Sequence, residues 1–428
     1  MRLELQAAAV HRVIFGNATG LEDGTLTIAR DELRALLSVD SRLADLEIEL
    51  ANPGEDCRIT DIFDVFEPRF KSAGPNFPGV IEPIGRVGDG PTTVARGAAV
   101  MVLNAMADRY KLTVDMIGPS ADFSPYSHTA NVCVRSKPAP NLDRAGYYRA
   151  LKEAGIRAAA YLGQAASRAK SDAAEVLSLD GSGTLNAGGV KTLPRVAYIY
   201  MLASQQMPTE ANEPILYGDN VRTLLPTVLH PNEVLDGAVV APYWNFGGDT
   251  YAVQNHPMIH ELYRRHGRDL TFAGVIGTIA AETEVGRTRS AVMAANLARD
   301  TLGADAVVLT KYGGGIPEAA TMETYDACEA LGMKGAIVIW THGGDGRIDG
   351  ALTFMSPRAD AVVSCGINEQ GIDLPPVARV IGSSSIGPLI METEGDVRPS
   401  NGPLHLRFLF LAGAADQLGG GRRSIEEY

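Results

Sequence analysis

From about Leu270 the chain alternates between two patterns, and few arrangements can satisfy both. "TFAGVIGTI" reads as a buried strand and "GRTRSAVMAANLARDTLG" as a helix with a glycine stop. "AVVLT" is a strand, "PEAATMETYDACEALG" a helix, and "GAIVIW" and "DAVVS" are two more strands. Short apolar runs alternating with helices of this length predict a parallel sheet covered by helices on both faces. In such a sheet ligands bind outside the carboxyl ends of the strands. Three loops occupy those ends: "KYGGGIPEA", "THGGDGRIDG" and "CGINEQG".

Each loop carries candidate residues beside a plainer structural reading. In the first, Gly314 gives close backbone approach and Pro317 leaves a helix N-terminus facing outward, which suits an anion. Glu318 would oppose a phosphate, and the loop matches neither GxGxxG nor a P-loop. A structural turn, a carboxylate or partner-loop contact and a nucleotide contact all stay open there. In the second, His342 and Asp345 stand with Arg347 on one glycine-rich loop that could hold a carboxylate. In the third, Asn368 follows Cys365, a thiol that is reactive only if its neighbours lower its pKa. Cys365 and His342 are the candidate catalytic groups.

The expected class is α/β: a β-rich N-terminal region, then α/β layers, with a doubly wound, mostly parallel sheet in the C-terminal part. Residues 1–140 form the β-rich domain, 141–267 a middle α/β region, and 268–428 the doubly wound domain. In the middle region Leu151, Ala154, Ala158, Tyr161 and Ala165 share one helical face, and Asp143 is a plausible N-cap.

A net charge of −13 argues against nucleic acid and anionic membrane as partners. The N-terminus is not a signal peptide and no apolar run is long enough to span a bilayer, so a cytoplasmic protein is expected. Four scattered cysteines, Cys57, Cys133, Cys328 and Cys365, show neither CxxC nor zinc spacing and read as reduced, buried thiols. His256 and His260 are four apart, but without HExxH no metal site is expected. The stretch from Ala121 to Val134 clusters polar groups without any triad order.

Another segment stands out, "HPNEVLDGAVVAPYWNFGGDT". Val234 to Ala241 reads as a strand that breaks into a loop bearing Tyr243, Trp244, Asn245 and Phe246, then Asp249. Asp236, Trp244, Asn245 and Asp249 are candidate substrate-binding residues. The aromatic cluster suits a methylated ammonium through cation–π contact, or else fills space in the core.

Several segments in order, among them "FPGVIEPIGRVGDG", "GPSADFSPYSHTANVCV", "RVAYIYML", "LLPTVLHPNEVLDGAVV", "YAVQNHPMIHELY", "VVLTKYGGGIPEA" and "PRADAVVSCGINE", resemble the α/β-subunit proprotein of component B of the glycine, sarcosine and betaine reductases. The D-proline reductase proprotein is related. The resemblance runs along nearly the whole chain. It implies a substrate-handling subunit of a complex that cleaves a C–N or similar bond reductively, with a cysteine- or selenocysteine-bearing partner subunit, a small amine or carboxylate substrate, and an oligomeric assembly. In that family a cysteine just after the "LDGAVV"-like segment becomes an N-terminal pyruvoyl group, whose ketone takes the substrate amine as a Schiff base. Here the residues between Ala238 and Asp249 include neither Cys nor Ser. The nearest aliphatic hydroxyl, that of Thr250, lies past the expected scissile bond and would yield a 2-oxobutanoyl group. The expectation is an intact chain with no pyruvoyl and no other cofactor. A non-redox binding or scaffold subunit, or an enzyme of another class on the same fold, is the alternative. Cys133, in the family-like "NVCV", reads as structural.

Overall fold

The computed structural model describes residues 1–106, 112–179, 193–204, 212–243, 248–341, 352–367, 370–387 and 397–420. The C-terminal alternation forms a six-stranded sheet in the order Thr227–Leu229, Thr271–Ala280, Arg195–Ser204, Ala306–Thr310, Lys334–Thr341, Val362–Ile367. Neighbours pair in parallel except Thr227–Leu229, which runs antiparallel at one edge. Taken along the chain, the parallel strands lie in the spatial order 2-1-3-4-5. Winding therefore reverses between Arg195–Ser204 and Ala306–Thr310, and in sheets of this kind ligands bind in the crevice outside the carboxyl ends of the strands at such a reversal.

Strand periodicity divides the first parallel strand between two cores. Tyr198, Tyr200 and Leu202 join a cluster with Val234, Leu235, Ile259 and Leu262 from the short helices Pro231–Leu235 and Pro257–Arg265. Ala197 and Ile199 face the opposite cluster, with Ala294, Ala295, Met322 and Tyr325 from the helices Glu284–Asn296 and Ile316–Ala330. The molecule is thus mixed α/β, and the strand–helix alternation read from about Leu270 is present.

The first part of the chain is strand-rich, and distant segments join its sheets. Ala173–Ser178 pairs with Arg2–Ala9, and Arg379–Ile381 pairs with Cys57–Phe66. The helix Arg144–Ala166 begins at Asp143, whose side chain accepts from the Gly146 amide. Its burial exceeds the single face expected: Lys152, Glu153, Gly155 and Gly163 are buried along with Leu151, Ala154 and Ala158. Glycine makes this possible, because a Cβ at residue 163 would lie 2.3 Å from the backbone carbon of Arg69.

The run Val234–Ala241 is not a strand. His230 and Glu233 form a capping box, Pro231 opens the helix, and Val234 and Leu235 complete it. Gly237 then turns the chain at φ +91°, and Ala238 to Ala241 continue as a buried segment that makes one bridge, Val239 to Leu216. A capped apolar helical turn and a buried strand look alike over so few residues. Among the described residues no helix is long and apolar enough to cross a membrane.

Candidate functional site

Two groups of buried polar side chains flank Gly248 and Asp249, one around Asp64 and one around Tyr312. The first is built on Asp64, a carboxylate inside the wholly buried strand Cys57–Phe66. Lys152 donates from Nζ to Asp64 Oδ2 and to the carbonyl of Ala241, each at 2.6 Å. Thr250 donates its amide to Asp64 Oδ1 at 2.9 Å and its hydroxyl to Oδ2 at 2.7 Å. The Thr250 hydroxyl in turn accepts from the Ala241 amide at 3.2 Å. Lys152 and Thr250 are 0 % exposed and Asp64 1 %, so each ionic group depends on these partners for solvation.

Asp249 caps the helix Thr250–Gln254 by accepting from the Ala252 amide, and it accepts the Tyr126 hydroxyl on its other oxygen. Burial, and then the nearby Asp64 charge, push its pKa up to about 7. Asp416 is also pushed up by burial, to about 6, while accepting the Leu418 and Gly420 amides. Asp249 therefore takes up its proton near 7 in the folded chain against about 3.8 in the unfolded one, and stability depends on pH between those two values. Its neutral form is the one the fold prefers, so its stabilising contribution is whole below pH ~4 and is lost as pH rises through 7. We predict that Asp249→Asn removes a stability loss on the order of a few kcal/mol across that window. Denaturant melts of both proteins from pH 4 to 8 check this, and parallel stability–pH curves would contradict it.

The second group lies at the crevice. Gly248, at the end of the loop, sits against Tyr312, since a Cβ there would come within 2.6 Å of the tyrosine ring. Tyr312 and Tyr200 hydroxyls are 3.1 Å apart. Tyr198 bonds to Thr310 and lies 3.2 Å from His256 Nε2. Burial holds the His256 pKa down to about 3, so that ring stays neutral. Next along the chain is Lys311, 1 % exposed. Its Nζ donates to the Gly313 carbonyl at 2.6 Å and lies 3.6 Å from Glu318 Oε1 and 5.0 Å from the centre of the Trp340 ring. Burial pulls its pKa down to about 8, against the opposing pull of Glu318. Glu318 is 0 % exposed and accepts the Thr353 amide at 2.8 Å.

Among the sequence candidates, the structure brings Glu318 together with Lys311, with Gly314 next in the chain to the Gly313 carbonyl that Lys311 bonds, and it places Asp249 beside Gly248, which sits against Tyr312. Asp236 lies elsewhere: the Gly88 amide, the Thr92 hydroxyl and Lys71 Nζ each bond to its carboxylate at 2.7 Å, tying strand ends together. Cys365 is buried in the edge strand Val362–Ile367, one strand beyond Trp340. Cys133 is buried in a cluster with Cys57, and burial raises its thiol pKa well above the usual value. Tyr243 packs on Phe63 and Tyr148, with Lys152 Nζ 5.7 Å from its ring, so this aromatic belongs to the core. Trp244, Asn245, His342, Asp345 and Asn368 lie outside the described residues.

Sequence reasoning missed Asp64, Lys152 and Lys311. Asp64 carried a signal, a charge inside the apolar run "DIFDVF". Lys311 carried another, being one of only eight lysines and placed at a strand's carboxyl end.

Comparison with known proteins bears on the whole of this arrangement. The family model "Glycine/sarcosine/betaine reductase component B subunits" matches residues 1–419. The chain is 32% identical over 436 residues, covering all of both proteins, to the glycine reductase complex component B subunits alpha and beta of Peptoclostridium acidaminophilum. It is 34% identical to the sarcosine reductase complex component B subunit alpha of the same organism, across 89% of each. Its identity to that organism's betaine reductase complex component B subunit alpha is 29%, across 89% of this chain and 88% of the relative. No solved structure matches the chain. By the extent of these matches the chain belongs to the glycine/sarcosine/betaine reductase component B family.

Proposed function

We propose that this chain is the substrate-handling subunit of a reductase complex of the glycine/sarcosine/betaine type, and that it works uncleaved, without a pyruvoyl group. The observation that carries the second half is at Ala241. Self-cleavage in the family falls just after the segment that "LDGAVV" resembles, and Ala241 and Pro242, neither with a side-chain nucleophile, follow that segment here. The Ala241 carbonyl is held by Lys152. The Thr250 hydroxyl is committed to Asp64 and to the Ala241 amide, so it is not poised to attack its own preceding carbonyl.

Without a ketone of its own, the chain handles substrates that need no Schiff base on this subunit: a nitrogen that is already quaternary, or a leaving group that is not an amine. Bond cleavage then falls to a thiol or selenol on a partner subunit, in a cytoplasmic, oligomeric assembly. The test is affinity capture of the tagged chain from its native cells. A stoichiometric partner carrying a redox-active cysteine or selenocysteine is the expected result. A homo-oligomer without any such partner contradicts the reading. A second reading, an enzyme of another class on the same fold, is favoured by one observation, the buried Lys311 amine at the crevice.

A further inference from the structure

We propose that the groove between the helix Arg30–Leu37 and the strand Leu43–Ala51 docks an extended segment of a partner protein, with carboxylates on one face and basic side chains on the other. The groove is open to solvent, encloses about 550 Å³ and is lined by Arg30, Arg34, Leu46, Glu47, Ile48 and Glu49. Leu43–Ala51 is an edge strand. It pairs with Ala130–Pro138 on one side, and among the described residues no strand pairs with its other side. The Leu50 carbonyl turns away from that ladder to accept from Arg379 Nη1 at 3.0 Å. By the two-residue period, the amides and carbonyls of Leu46 and Ile48 turn the same way, toward the groove. An unpaired edge of this kind templates a further strand about 4.8 Å away.

Charge decides which strand fits. Leu46, Ile48 and Leu50 share a core cluster with Leu33 and Leu37, so the helix lies over that face of the strand. Arg30 and Arg34 flank those leucines one helical turn apart and line the groove. Both are exposed, and among the described residues neither has an ion pair. Arg30 lays its guanidinium on the Phe15 ring, 3.8 Å from the centroid, which uses the face of the plane and leaves its N–H fork for a carboxylate. Carboxylates two residues apart on an added strand stand about 6.6 Å from each other, close to the ~6 Å rise from Arg30 to Arg34. Glu47 and Glu49 point to the opposite face, where they already meet Arg135 at 3.4 Å and Arg379 at 3.2 Å. The added strand must therefore be basic or neutral on that side. A second copy of Leu43–Ala51 is the poorer occupant, because antiparallel pairing about Ile48 opposes Glu47 and Glu49, two like charges.

The proposal stands on the groove alone. A partner subunit is what the reductase reading calls for, but strand addition here does not depend on that reading. Partner capture and peptide binding therefore succeed or fail separately.

The test uses the full chain and two capped peptides, one alternating glutamate with lysine and one alternating glutamine with lysine. Binding is read as slowed hydrogen exchange at the Leu46 and Ile48 amides during peptide titration. The glutamate peptide is expected to protect both amides and the glutamine peptide to protect them far less. The double substitution Arg30→Glu and Arg34→Glu is expected to weaken the glutamate peptide about tenfold, as two exposed ion pairs give way to repulsion. Both arginines are exposed, so the melting curve of this variant should match wild type. The comparison of the two peptides on the wild-type chain stands even if the variant fails to fold. No protection, equal protection by both peptides, or undiminished binding to a folded double variant would overturn the proposal. Protection that grows with protein concentration in the absence of peptide would overturn it in favour of a second copy.

Discussion

Replacing Lys152 with methionine is expected to destabilise the protein by about 3–5 kcal/mol, the range for breaking a buried ion pair from one side. The loss comes less from the missing lysine than from what it leaves behind. Asp64 would keep its two bonds from Thr250 but lose its counter-charge in a site without solvent. The Ala241 carbonyl would lose its donor as well. Urea or thermal melts of the two proteins measure the effect. A second substitution, Asp64→Leu, placed on Lys152→Met should recover part of the loss, because it removes the stranded charge. A Lys152→Met protein within ~0.5 kcal/mol of wild type, the usual size of an inconsequential surface change, would show that Asp64 is solvated by something else.

Arg58→Met is the second large effect. This guanidinium is 0 % exposed and grips Asp115 with Nε and Nη2, at 2.6 and 2.9 Å. Its remaining donors reach the carbonyls of Pro375, Ser400 and Gly402, more than 300 residues away in sequence. One side chain therefore ties the C-terminal segment to the strand Cys57–Phe66, beside the pairing of that strand with Arg379–Ile381. Its removal strands a buried carboxylate and three carbonyl acceptors, with an expected loss of at least about 3–5 kcal/mol. The accompanying sign is local: limited proteolysis should cut the segment from Pro375 to Gly402 earlier than in wild type. Unchanged cleavage kinetics would mean that the apolar packing there suffices without Arg58.

Local patterns carried the elements, and distant pairings carried the site. The strand–helix alternation after Leu270 was legible because period and length separate strands from helices there. The Asp143 cap was legible from its residue type alone. Val234–Leu235 was not, since the capping box at His230 and Glu233 decides for a helix over an apolar run that suits either state. Gly314 and Glu318 were singled out by the general rule for strand-end loops, whereas Lys311, three residues before Gly314, was passed over for lack of a motif. The Asp64 group could not be assembled from sequence at all. Asp64 and Thr250 lie 186 residues apart, and Tyr126 and Asp249 lie 123 apart. Asp236 shows the converse, since a carboxylate beside the divergent loop in sequence turns its charge to Lys71 in space.

The central claim is that this chain performs its part in a reductase complex without cutting itself to make a carbonyl. Intact mass spectrometry of the protein purified from its native source tests it most directly. The account predicts a single polypeptide of 45.4 kDa that does not react with hydroxylamine- or hydrazide-type carbonyl reagents. Two fragments divided near residue 242, or at Thr250, the smaller blocked by a ketone at its N-terminus, would contradict it.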